Sequence, residues 1–184
     1  SKIDAAVREI IPSFSEDSTL RIISAGKIPA VEYVGPPVGA KQFSAAGLQT
    51  PYAQTAPLDL AFRLACNDLL KSQRKRAIIF VSSGKITHGA FEKYSLNNLT
   101  SYMNNNSVAC LSLIVTENAA DEEINYIVDN TAGGSYYMFR PEGLSGIFQD
   151  IIAIPAGKYV FTFTSSMSTN FGEKYLPIEV ETYL

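Results

Sequence analysis

Two apolar runs constrain this chain more than any other feature. Ala77-Ile78-Ile79-Phe80-Val81 follows the basic Arg74-Lys75-Arg76, and Val108 to Val115 follows Asn104-Asn105-Asn106. A strand with one wet face alternates apolar and polar side chains, and these segments do not. Runs so short and so continuous belong to strands covered on both faces, as in a parallel sheet held between layers of helix.

Helical and strand patterns flank the two runs. Ile3, Val7, Ile10, Ile11 and Phe14 recur at helical spacing, and Pro12 ends or kinks that helix. Thr19 to Ala25 reads as a strand closed by Gly26, and Val31 to Val34 as a short strand closed by Gly35-Pro36-Pro37. Residues 38–56 form a long connection with room for one helical turn. The next helix is expected from Pro57 to Gln73, with Pro57 in its first turn. Its polar stripe is Asp59, Arg63, Asn67 and Lys71, and Leu58, Ala61, Phe62, Ala65 and Leu69 face inward. Further helices are expected over 90–104, from Asp121 to Thr131 and from Pro141 to Pro155, with a strand from Ser135 to Phe139. Strands alternating with helices predict an α/β fold: three layers, doubly wound, around a mostly parallel sheet with right-handed crossovers.

The period changes after Pro155. Lys158 to Ser165 and Tyr175 to Leu184 alternate as two strands around a polar loop with Asn170 and Gly172. The expected organisation is an α/β domain over 1–155 and a C-terminal β-hairpin over 156–184, the hairpin opening a second β-rich module. The start at Ser1, without Met, and the end in mid-strand at Leu184 read as a fragment of a longer chain.

Composition narrows the function. The chain has 184 residues, 46% hydrophobic and 18% charged, which suffices for a packed core and excludes disorder. No apolar run approaches the roughly 20 residues of a membrane span. A net charge of −3 argues against nucleic acid as partner. His88 is the single histidine, and two cysteines make no disulfide framework.

Three local patterns resemble the von Willebrand factor A family. Ile78-Ile79-Phe80-Val81-Ser82-Ser83-Gly84 looks like that family's strand ending in Thr-Asp-Gly. Pro57-Leu58-Asp59-Leu60-Ala61 looks like its helix start after a metal-site threonine. Ile124 to Tyr137, with Thr131-Ala132-Gly133-Gly134 and Tyr136-Tyr137, looks like the segment before its last strand. The resemblance covers about residues 1–154 and implies a protein-binding domain. In the family a Mg²⁺ ion is held by an Asp-x-Ser-x-Ser motif, a threonine and an aspartate. Here the Asp-x-Ser-x-Ser motif is absent, Ala56 fills the threonine slot with Thr55 one place away, and Ser83 fills the aspartate slot. The expectation is a degenerate site without cofactor, taking Mg²⁺ only if an upstream motif exists and tolerates Ser83. The resemblance also implies that the family's central first strand is missing. Thr19–Ala25 and Ala77–Val81 would then flank an open slot. A strand from elsewhere or self-association is the favoured remedy, and the strand Tyr159–Thr164 is a third.

Other features have plain structural readings. Ser82-Ser83-Gly84 reads as a strand-to-loop turn, His88 as a surface residue, and Gly133-Gly134 as a turn. Lys71 to Arg76 reads as a solvated helix end, and Asp121-Glu122-Glu123 as first-turn acids. Cys66 and Cys110 read as core residues. The aromatics Tyr136, Tyr137, Phe139, Tyr159, Phe161 and Phe163 read as packing. The function expected is a non-enzymatic protein-binding or scaffolding module, with no catalytic residue. Its partner face would be Thr55, Ser82, Ser83, Gly84, Lys85, Thr116, Glu117 and Asn118, at the carboxyl ends of the strands. The rival readings are a Rossmann-like hydrolase using Ser83 and His88, and a purely structural segment of a larger surface protein. An extracytoplasmic location in a bacterium is preferred.

Overall fold

The computed structural model describes residues 1–48, 54–140, 142–144 and 146–154. The predicted strands Lys158–Ser165 and Tyr175–Leu184, and Pro141, lie outside them. In chain order the elements are α1 (Lys2–Ile10), β1 (Leu20–Ser24), β2 (Ala30–Gly35), α2 (Pro37–Ala40), α3 (Leu58–Leu69), β3 (Arg76–Ser82), α4 (Leu96–Asn105), β4 (Val108–Ile114), α5 (Glu122–Asp129), β5 (Ser135–Tyr137) and α6 (Ile147–Ala153). Short 3₁₀ turns occupy Ile11–Ser13, around Pro12, and Ala45–Gly47.

The strands form two sheets. β1 and β2 pair antiparallel, with a bulge between Ile22 and Ile23. β3, β4 and β5 form a parallel sheet with β4 in the middle. Alternate residues of β3 and β4 feed two cores. Ala77, Ile79, Val81, Leu111 and Leu113 pack with Ala6 and Ile10 of α1 and Ile147 of α6. Ile78, Phe80, Val108 and Cys110 pack with Phe62 and Cys66 of α3, Leu99 and Met103 of α4, and Ile127 of α5. Helices thus cover both faces of the parallel sheet, and the α/β, Rossmann-like architecture follows from the strands' lack of a polar face.

Several boundaries differ from expectation. The helix predicted from Pro57 to Gln73 spans Leu58–Leu69, because Leu70 to Arg74 turn back toward β3. The helix predicted over 90–104 starts only at Leu96, where the Ser95 hydroxyl accepts from Asn98 N. β5 stops at Tyr137, and α6 begins at Ile147 rather than beside Pro141. β3 has helices over both faces, as the apolar pattern predicted, but is only half-buried along its length; β4, with a strand on each side, is buried throughout.

The basic stretch before β3 is solvated at Lys71, Arg74 and Lys75, as expected, and its cations also find partners. Lys71 pairs with Asp68, which also meets Arg21 of β1. Arg74 donates to Asp17 O and Lys75 to Ile152 O. Arg76 donates to Ser72 O and Asn106 O. These cations pin carbonyls at the amino-terminal end of the sheet.

Gly133 and Gly134 also differ from the predicted turn. The left-handed residue is Ala132, with φ of 53°. Gly133 is there because β4 passes so close that an added Cβ would lie 1.8 Å from Cys110 O. Beside it Thr131, buried, accepts from Cys110 N at 3.1 Å and donates to Ile127 O at 2.7 Å. Both cysteines are free and buried, as predicted. Burial pushes the Cys66 thiol up to about 12 and raises Cys110 as well.

Candidate functional site

Parallel strands deliver their loops to one end, the carboxyl end of the sheet, where ligands of such folds collect. Ser82 to Lys85 leave β3 there, and Thr116 to Asp121 leave β4. Val115 N donates to Ser82 O at 2.9 Å, extending the ladder one step past the strands. Gly84 then turns the chain with φ of +85°, and a side chain there would press on Ala119 O and Ile114. Its carbonyl accepts from Asp121 N at 2.9 Å.

Side chains lock the two loops together. Thr116 Oγ1 donates to Ser83 O at 2.7 Å, and Asn118 Nδ2 to the same carbonyl at 3.3 Å. Ser82 Oγ accepts from Gly84 N, and Ser83 Oγ from Lys85 N. Lys85 Nζ meets Asp121 Oδ1 at 2.6 Å, while Asp121 Oδ2 accepts from Ile86 N at 2.9 Å. The hydrogen bond from Lys85, then that from Ile86, hold the Asp121 carboxyl below its ordinary range. Ser83, Lys85, Glu117 and Asn118 are exposed on this rim, and Gly84 is buried beneath it.

The structure therefore brings together Ser82, Ser83, Gly84, Lys85, Thr116 and Asn118, with Glu117 beside them. Thr55 has a different neighbour: its methyl group would lie 3.6 Å from a Cβ at Gly89. Ala56, the other degenerate metal position, packs into the α3–α4 core. Exposed His88 lines an open cleft with Glu92, Glu123 and Tyr126, which Ser83 does not line.

Two carboxylates matter more than the sequence reading allowed. Asp121, read as a first-turn acid, sits just before α5 and is the clamp between the loops. Asp59, read as part of a polar stripe opposite the inward-facing residues, is only 2% exposed. Its Oδ2 accepts from Lys93 N at 2.7 Å and Tyr94 N at 3.0 Å, and Oδ1 accepts from Leu60 N. It holds the 90–95 turn against the start of α3. Its position at the first turn of a helix was the available signal; its burial was not legible. Arg63 of the same stripe stacks on Tyr102, 3.5 Å from the ring centroid.

No protein-family model matches the chain, and no curated protein does. Solved structures do. A von Willebrand factor type A protein from Catenulispora acidiphila superposes with a TM-score of 0.58 at 13% identity, over 82% of this chain and 36% of that one. Proximal thread matrix protein 1 from the mussel byssus superposes with a TM-score of 0.54 at 8% identity, over 83% and 39%. The chain spans little more than a third of either neighbour, and the likeness is one of fold.

Proposed function

We propose that a von Willebrand factor A-like fold serves here as a protein-binding or scaffolding module, without catalysis and with little or no dependence on metal. The carrying observation is the locked rim: Thr116 and Asn118 both grip the Ser83 carbonyl, so exposed Ser83, Lys85, Glu117 and Asn118 form a preorganised polar surface. Preorganisation spares a partner the ordering cost of loose loops.

The donor set does not suit a divalent cation. Mg²⁺ takes carboxylates and waters in near-octahedral geometry. The threonine slot is the methyl of Ala56, the aspartate slot is the uncharged Ser83, and the carboxylate of Asp121 is taken by Lys85 and Ile86. Among the described residues no group of three or more His, Cys, Asp and Glu could hold a metal. A hydrolase reading gains nothing from the geometry, because His88 opens onto a cleft that Ser83 does not line. No helix among the described residues is long and apolar enough to cross a membrane; an extracytoplasmic site of action remains part of this proposal.

The test pairs a metal titration with a rim variant. Mg²⁺ added to the chain in a calorimeter should give no binding heat. A protein retained by the immobilised chain should be lost on Lys85→Glu combined with Asn118→Arg. Tight Mg²⁺ binding, or retention unaffected by the double variant, overturns the reading.

A further inference from the structure

β1 and β3 face each other across a cleft of about 990 Å³. Leu20 to Ile23 line one wall and Ala77 to Val81 the other. Among the described residues no backbone ladder joins the two sheets. Among the described residues β1 pairs with β2 and β3 with β4, each on the side away from the cleft. The cleft also has a floor and a roof, for Ile3, Val7 and Ile10 of α1 and Ala61, Phe62 and Ala65 of α3 line it as well. It has the form of a vacant strand position: ladder groups at two edges, apolar helices on two faces.

We propose that this position is filled by the chain's own segment Lys158–Ser165, running parallel to β3. The first argument is direction. Arg74, just before β3, donates to the carbonyl of Asp17, just before β1, so both strands start at the same end of the cleft. Lys75 at that same end donates to Ile152 O, in the last turn of α6, and Ile151 and Ile152 line the cleft. The chain therefore leaves α6 at the end where β1 and β3 begin. Pro155-Ala156-Gly157, about 10 Å when extended, is a breaker-rich link suited to turning back into the cleft.

The second argument is pattern. Tyr159, Phe161 and Phe163 alternate with Val160, Thr162 and Thr164, which gives one aromatic face and one β-branched face, both suited to burial. Eight residues match the seven of β3, which span about 23 Å. The third argument concerns a second copy. Residues of both α1 and α3 line the cleft beside these two edges, which suits one inserted strand better than edge-to-edge pairing of two whole copies.

The test uses the full chain. Ile79→Cys is combined in turn with Val160→Cys, Phe161→Cys, Thr162→Cys and Phe163→Cys, and oxidised at low protein concentration. Native Cys66 and Cys110 are buried and give little background. At least one pair should form a disulfide within a single chain. Links only between chains would make the occupant a second copy, and no link at all would leave it to another segment or partner; either result overturns the proposal. In parallel, Phe161→Pro should speed amide exchange at least tenfold in Leu20–Ile23 and Arg76–Ser82. Protection in Val108–Ile114 should stay unchanged, which shows that the variant is folded. Unaltered protection at β1 and β3 also overturns the proposal.

Discussion

β3 and β4 are neighbours of equal length and nearly equal apolarity, yet β4 is buried at every residue and β3 at none. Both are sandwiched by helices, so the helices are not the cause. β4 has a strand on each side, and β3 has β4 on one side and the cleft on the other. An apolar run therefore records the burial a strand can accept, and its neighbours in the sheet decide how much it receives.

The largest expected effect tests that contrast directly. Leu111→Ala in β4 should cost about 3 kcal/mol of unfolding free energy, within the usual range for a leucine lost from a close-packed core. Ile79→Ala in β3 should cost nearly as much, because the strand proposed to fill the cleft would cover the side that β4 leaves open; a loss half as large would leave that side uncovered. Urea denaturation of the two variants measures both. Equal losses would show that β3 is covered as well as β4.

Gly133→Ala comes next. The new methyl would collide with Cys110 O, so β4 and the chain entering β5 must separate. A loss of about 2 kcal/mol, typical of overpacking, should come with faster amide exchange at Ser112, whose N–H bonds Gly134 O. Unchanged exchange there would mean that the tight approach does not fix β5.

The smallest effect concerns how β3 is steadied at its carboxyl end, by the clamp of Asp121 on Lys85 and Ile86. A carboxyl held below its ordinary value of about 3.9 stabilises the fold above that pH, and loses its contribution as pH falls through the lower folded-state value. Asp4 works the same way. The Ala45 N–H, then the amino terminus, hold it at about 2. The unfolding midpoint should thus fall as pH drops from about 4 toward 2, and Asp121→Asn should remove part of that slope. A slope unchanged by Asp121→Asn would place acid sensitivity elsewhere.

Much of this architecture was legible in the chain. Period and breakers identified the parallel strands and the helices around them, because a strand lacking a polar face has few homes. The resemblance of Thr131 to Gly134 to a known segment was a packing signal: one hydroxyl satisfies a β4 amide and one missing Cβ lets β4 pass. The roles of charged residues were not legible. Asp59 looked solvated because its helical stripe was polar, but its partners are amides more than 30 residues along the chain. Lys71 to Arg76 read as a wet helix end, and Lys71, Arg74 and Lys75 are exposed, but Arg74, Lys75 and Arg76 also reach carbonyls of distant segments. Such partners depend on tertiary placement, which local spacing does not encode. The rim residues Ser82 to Lys85 and Thr116 to Asn118 were legible as a group, since topology alone sends both loops to one end.

The two buried thiols carry a consequence for experiment. Thiolate is the reactive form, and Cys66 on α3 and Cys110 on β4 are each only 1% exposed, with raised pKa values. A thiol reagent can reach either sulfur only while the helices α3, α4 and α5 that share their core open from the sheet. The labelling rate is therefore a clock for that opening, already present in the chain and needing no added probe.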